Sequence, residues 1–140
     1  MDPLDASSFD FWVGEWDAEF EGGHAVNSVR REFEGNVLVE RFAVDRPRTW
    51  HGMSVSAFDA ANDRWRQTWV DDSGQYWHFV GDLVDGHPAF ATPAPVDDPA
   101  RWKRMVFTDI ADDAFRWRWE SSTDRSEWRT DWAISYTRRS

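Results

Sequence analysis

The chain has no cysteine and a single lysine, Lys103, and each scarcity removes a class of chemistry. Without cysteine there is no disulfide, no thiolate nucleophile, no iron–sulfur cluster and no cysteine-ligated zinc. With one lysine, a Schiff-base mechanism would have to use Lys103 or the N-terminus. Basic excess is missing too: the net charge of −10 argues against nucleic acid, which needs a clustered basic surface. The arginines are interleaved with acids. No apolar run reaches membrane-spanning length. The start, Met1-Asp2-Pro3-Leu4-Asp5, has no apolar stretch of signal-peptide type. These absences together point to a cytoplasmic protein without a membrane partner. Four histidines, His24, His51, His78 and His87, show no metal-ligand spacing, so neither metal nor cofactor is expected.

What the chain has in excess is tryptophan, eleven in 140 residues. The rings recur at strand-like spacing, as in Trp65/Trp69, Trp117/Trp119 and Trp128/Trp132, with polar residues between. That is the period of a strand with one dry and one wet face. About ten strands follow, near 14–20, 25–34, 37–44, 49–59, 64–71, 75–83, 87–92, 101–110, 114–122 and 127–138, after a helical turn at Phe9–Trp12 that plugs one end. Short turns at Gly35-Asn36, 60–63, 72–74, Asp85-Gly86, Asp112-Asp113 and 123–126 join most of them, forcing antiparallel neighbours. The Pro-rich 92–99 stretch reads as a loop inside the domain. The expected fold is all-β, a single domain over 1–140 forming an up-and-down antiparallel barrel, since closure removes the free edges.

Charge pairing supplies a register. A turn at 123–126 sets Glu120 opposite Arg129 and Arg118 opposite Asp131, with Trp119 facing Thr130, Trp117 facing Trp132 and Phe115 facing Ile134. A turn at 112–113 sets Asp109 opposite Arg116, and one at 60–63 sets Asp59 opposite Arg64. Such outer pairs contribute only about 0.2–1 kcal/mol each, so they serve as markers of facing. The turn at 35–36 sets Arg31 opposite Glu40.

These registers place a polar subset among the inward aromatics: Arg31, Glu40, Ser54, Ser56, Gln67, Asp71, Arg104 and Tyr136. Unpaired burial costs roughly 1–3 kcal/mol for a neutral group and more for a charge. The set must therefore pair internally, bond to buried water, or meet a ligand. Asp71, beside a turn, can also cap it. Gly52, Ser54 and Ser56 form a row of small residues that either fills a taper or leaves space.

The segment Phe9-Asp10-Phe11-Trp12-Val13-Gly14-Glu15-Trp16-Asp17 resembles the start of a family of small bacterial lipocalin-like domains of unknown function. Trp65 to Gly74, Trp119 to Asp124 with Trp128 after it, and Tyr136 to Arg139 are similar to later parts of that family. The resemblance implies a calycin-type barrel and implies no activity. Trp117 and the 92–99 loop depart from its pattern.

The leading expectation is a barrel that binds a small hydrophobic or aromatic ligand. Trp65, Trp69, Trp77, Trp119 and Trp128 would form the walls, and Ser54, Gln67 and Asp71 would orient a polar group. Arg31, Arg104 and Tyr136 would hold an anionic end. A second expectation is a cofactor-independent cyclase or isomerase with Glu40 or Asp71 as acid or base. A third is an interaction module, a homodimer through outer residues Met53, Val55, Val70, Tyr76 and Val80.

Overall fold

The computed structural model describes residues 3–139. Ten antiparallel strands run in sequence order: β1 Gly14–Phe20, β2 Gly23–Glu32, β3 Val37–Arg46, β4 Trp50–Asp59, β5 Arg64–Asp71, β6 Tyr76–Val84, β7 His87–Ala91, β8 Trp102–Thr108, β9 Ala114–Ser122 and β10 Arg129–Arg138. Each pairs with its neighbours in the chain, and β1 pairs with β10, so the sheet closes into an up-and-down barrel with no free edge. No helix among the described residues is long and apolar enough to cross a membrane.

Turn chemistry sets much of the hairpin geometry. Asp85 and Gly86 both take positive φ, 49° and 81°, the form a two-residue hairpin needs to match strand twist. After β5, Asp71 accepts the N–H groups of Ser73 and Gln75, and Gly74 supplies φ 83°. The β4–β5 register, with Asp59 opposite Arg64, is the expected one. So is the β5–β6 register, which carries Trp77 and Phe79 inward beside Trp69 and Gln67.

Three other registers differ from expectation. After Thr108, the turn itself lies where the sequence puts it, with Ala111 N–H donating to Ala114 O. One extra residue on the β8 side, at Asp109 with φ 50°, sets Thr108 rather than Asp109 opposite Arg116. A slip of one residue turns a whole strand over. Arg104 and Val106 therefore face outward, and Lys103, Met105 and Phe107 face inward. Between β9 and β10 the pairing begins as Arg129↔Ser121 and Thr130↔Glu120. It then shifts at a bulge to Trp132↔Trp119, Ile134↔Trp117 and Tyr136↔Phe115. The loop's extra residue turns Trp128 outward, and the bulge at Asp131 turns Trp132 back in. The β2–β3 connection is two residues longer than expected, so Arg31 meets Leu38 and Val29 meets Glu40.

The core lies toward the end of the barrel where the chain enters β1. A 3-10 turn, Asp10–Trp12, closes that end. Phe9 is wholly buried there, stacked on Phe90 at 4.6 Å between centroids and edge-on to Trp65 and Phe107. Trp65 belongs to this plug and donates its Nε1–H to Asp5 O at 2.7 Å. On the outer face Val55, Val70 and Tyr76 are exposed, Tyr76 by 70%.

Across the outer face of β1–β3, His24 bridges two carboxylates, Asp45 at 2.8 Å and Asp17 at 3.0 Å. Hydrogen bonding to Asp45 and then to Asp17 raises its pKa above the usual 6.5. Only the imidazolium carries an N–H on both ring nitrogens, so deprotonation breaks one bridge. A raised folded pKa means the contribution is complete below about 6.5 and is lost as pH climbs through the folded value. Asp45, lowered chiefly by the His24 bond, sets the acid limit of the same window, its share fading as pH falls through its depressed pKa. Wild type should exceed His24→Gln in urea midpoint at pH 6, and the gap should shrink above neutrality. A gap that is constant from pH 6 to 9 would rule the double bridge out.

Candidate functional site

Above the plug, the barrel holds a cavity of about 240 Å³ that opens toward the other end. That end is ringed by the loops at 21–22, 47–49, 72–74, 92–101 and 123–128. The walls are mainly aromatic: Trp12 at the floor, Phe42, Trp50, Trp69, Trp77 and Phe79 on one side, and Phe107, Trp117, Trp119 and Trp132 on the other. The rings brace one another edge-on, Trp77 against Trp119 at 5.5 Å and Trp117 against Trp132 at 5.6 Å between centroids. Trp117 is thus a wall residue.

The inner part of the wall carries two polar groups. Glu40 on β3 accepts Ser54 Oγ–H at 2.7 Å on one carboxyl oxygen and Asn27 Nδ2–H at 2.9 Å on the other. Burial raises its pKa above the usual carboxylate range, against the opposing pull of those two bonds. Tyr136 on β10 is buried as well, and its phenol is held well above the ordinary value by burial and then by the nearby Glu40 carboxyl. Both side chains line the cavity.

At the mouth stand Gln75, Asp97 from the Pro-rich loop, and Lys103. Lys103 Nζ lies 5.8 Å from the centroid of the Trp119 ring. Among the cavity's indoles, Trp50 donates to Ser73 Oγ and Trp69 to Asp71 Oδ2. Trp77, Trp117, Trp119 and Trp132 have no acceptor for Nε1–H among the described residues. None of these four nitrogens is a buried orphan either.

The sequence-derived site residues divide into three groups. Glu40, Trp69, Trp77, Trp119 and Tyr136 line the cavity. Ser54, Ser56 and Gln67 face inward but sit behind it, Ser54 on Glu40 and Gln67 donating to Ser56 Oγ at 2.9 Å. The small-residue row leaves no space: Trp69 packs over Gly52, Glu40 occupies the place beside Ser54, and Gln67 that beside Ser56.

Arg31, Asp71, Arg104, Trp128 and Trp65 lie elsewhere. Arg31 reaches past the plug end to Asp10 at 2.9 Å rather than to Glu40. Arg104 lies on the outer face, bonded to Glu120 at 2.7 Å and stacked on Trp128 at 3.8 Å from the ring centroid. Arg118 takes the other Glu120 oxygen, and Arg129 turns to Asp131 on its own strand. Asp71 is a rim residue whose oxygens accept from Trp69 and from the turn it caps, and it does not line the cavity.

Sequence reasoning missed Lys103, Gln75 and Asp97. Only the register of β8 could reveal the first, and the long-loop residue Asp97 carries no periodic signal. Two acceptors behind the wall, Asn27 Oδ1 and Gln67 Oε1, are buried without partners, and neither residue lines the cavity. No group of three or more His, Asp or Glu side chains is arranged to hold a metal ion among the described residues. No family model and no curated protein matches the sequence.

Proposed function

We propose that this protein binds a small, largely aromatic or alicyclic molecule inside the barrel, and that the barrel is of the calycin type. One observation carries the reading: a 240 Å³ space walled by tryptophans, with a carboxyl and a phenol at its inner end. An engineered apolar cavity of about 150 Å³ takes up benzene, and sites for drug-sized ligands begin near 300 Å³. A ligand of one or two rings fits between those marks. Its inner polar atom would meet Tyr136 and Glu40, because a buried hydroxyl or carbonyl needs a partner. The test is native mass spectrometry of gently purified protein, followed by tryptophan quenching with naphthol-sized compounds. A released mass, or saturable quenching lost on denaturation, is expected. A clean apo mass and no quenching across the panel would overturn the reading.

A second reading, a cofactor-independent isomerase or cyclase using the same space, is favoured by Glu40, a cavity-lining carboxyl with a raised pKa. Glu40→Gln separates the two. The new amide still accepts from Ser54, and a turned Asn27 amide can accept from its NH₂, since Asn27 Oδ1 is unpartnered. Folding and binding should survive within about threefold, because an isosteric swap keeps the packing. Turnover, if Glu40 moves the proton, should fall by roughly 10²-fold or more. Turnover unchanged in this variant would remove Glu40 from any chemistry.

A further inference from the structure

We infer that Lys103 is the anion-binding residue of this cavity, and that the ligand is an aromatic or alicyclic acid whose carboxylate sits at the mouth. The inference rests on the cavity-binding reading and deepens it.

Strand β9 passes both ends of the cavity. Lys103 pairs with Ser121, Trp132 with Trp119, Ile134 with Trp117, and Tyr136 with Phe115. All of these lie on the inward face. Lys103 and Tyr136 are thus six β9 positions apart, roughly 20 Å of strand. One polar site is at the mouth and the other is deep, with tryptophan rings between.

Lys103 is the chain's only lysine and, among the described residues, the only cationic side chain on the cavity wall. It forms no ion pair within 4.0 Å among the described residues, whereas most arginines around the barrel are paired. Its backbone is tied to Thr92 by two bonds, Lys103 N–H donating to Thr92 Oγ1 and Lys103 O accepting from Thr92 N–H. Of the nearby carboxylates, Asp131 is already held by Arg129 at 2.7 Å, and Asp97 sits on the Pro-rich loop without a salt bridge. A free ammonium beside aromatic rings is less screened than one in open water and favours a carboxylate over a neutral group. In a chain of net charge −10, such a cation also makes the mouth locally attractive to an acid that the rest of the surface repels.

The arginines are excluded from this role by position. Arg104 is spent on Glu120 outside the barrel, and Arg31 on Asp10 beyond the plug.

The test is isothermal titration calorimetry with two matched probes, hydroxynaphthoate and hydroxynaphthamide, each carrying its two polar groups at opposite ends of the rings. Wild type should prefer the acid by about tenfold, and that preference should shrink with added salt. Lys103→Met should erase the preference, with far-ultraviolet circular dichroism and the urea midpoint showing that the variant is folded. Lys103→Arg should keep part of it. Equal affinity of wild type for both probes, or a preference that survives Lys103→Met, overturns the inference and leaves the cavity reading intact. Failure of both probes and of plain naphthol to bind overturns the cavity reading itself.

Discussion

Phe9→Ala is expected to destabilise the barrel by about 3–5 kcal/mol, the usual cost of emptying a fully buried phenylalanine site. Phe9 precedes the first strand, yet it has no exposed surface and contacts rings from three separate strands, Trp65 of β5, Phe90 of β7 and Phe107 of β8. The sheet around it is closed by ladder bonds on every side, so the walls cannot collapse inward to fill the space. Rigid surroundings put a truncation at the upper end of the range, because cavity and lost transfer energy then add. Trp12, also buried, separates the plug from the ligand cavity as its floor. Urea unfolding followed by far-ultraviolet circular dichroism measures the effect. A loss below about 1 kcal/mol would mean that the plug is an ornament on a barrel stable without it.

Gly52→Ala is expected to abolish ligand binding at modest cost to the fold. A Cβ on Gly52 would fall on the six-membered ring of Trp69, far inside contact distance. Trp69 cannot slide along the strand, since its Nε1–H is bonded to Asp71 Oδ2 at 2.9 Å and Asp71 is fixed by its turn. The ring must swing into the barrel, where Trp50 and Phe42 stand 6.1 and 6.4 Å away between centroids, and the displaced indole takes the ligand's place. Overpacking of this kind costs about 1–3 kcal/mol, so the variant should remain folded. Its affinity for naphthol should fall by at least about tenfold, since a one- or two-ring ligand has no room to shift. Trp69→Leu added to Gly52→Ala should restore space and part of the binding. Unchanged affinity in the single variant would show that the ligand does not sit against Trp69.

Ten strands, their order and the plug are legible in the sequence because they rest on local signals. The alternation of tryptophan with charge gives the strand period, Asp85-Gly86 and Gly74 mark turns that need positive φ, and consecutive short turns leave antiparallel pairing as the only choice. Facing is legible only where the turn length is unambiguous. The hairpin at 60–63 and the turn at 72–74 are right to the residue, and from them follow Trp69, Trp77 and the row at Gly52, Ser54 and Ser56. Where one residue is inserted, at Asp109 or in the loop before Arg129, the charge pairs mislead. Asp109 still reaches Arg116 at 4.0 Å from the slipped position, because long side chains bridge either register. A marker so tolerant of geometry cannot detect the slip that turns Arg104 out and Lys103 in.

Composition and pattern alone thus determined an all-β chain with one wet and one aromatic face, closed by its own hairpins, with Glu40 and Tyr136 among the rings. The tertiary structure alone decided which polar side chains line a space and which are consumed behind it. Hydrogen-bond partners across the barrel are set by register and bulges, and these depend on the fit of the whole closed sheet. Whether Gly52 leaves a hole or receives an indole is likewise a matter of packing between strands, to which no single stretch of sequence answers.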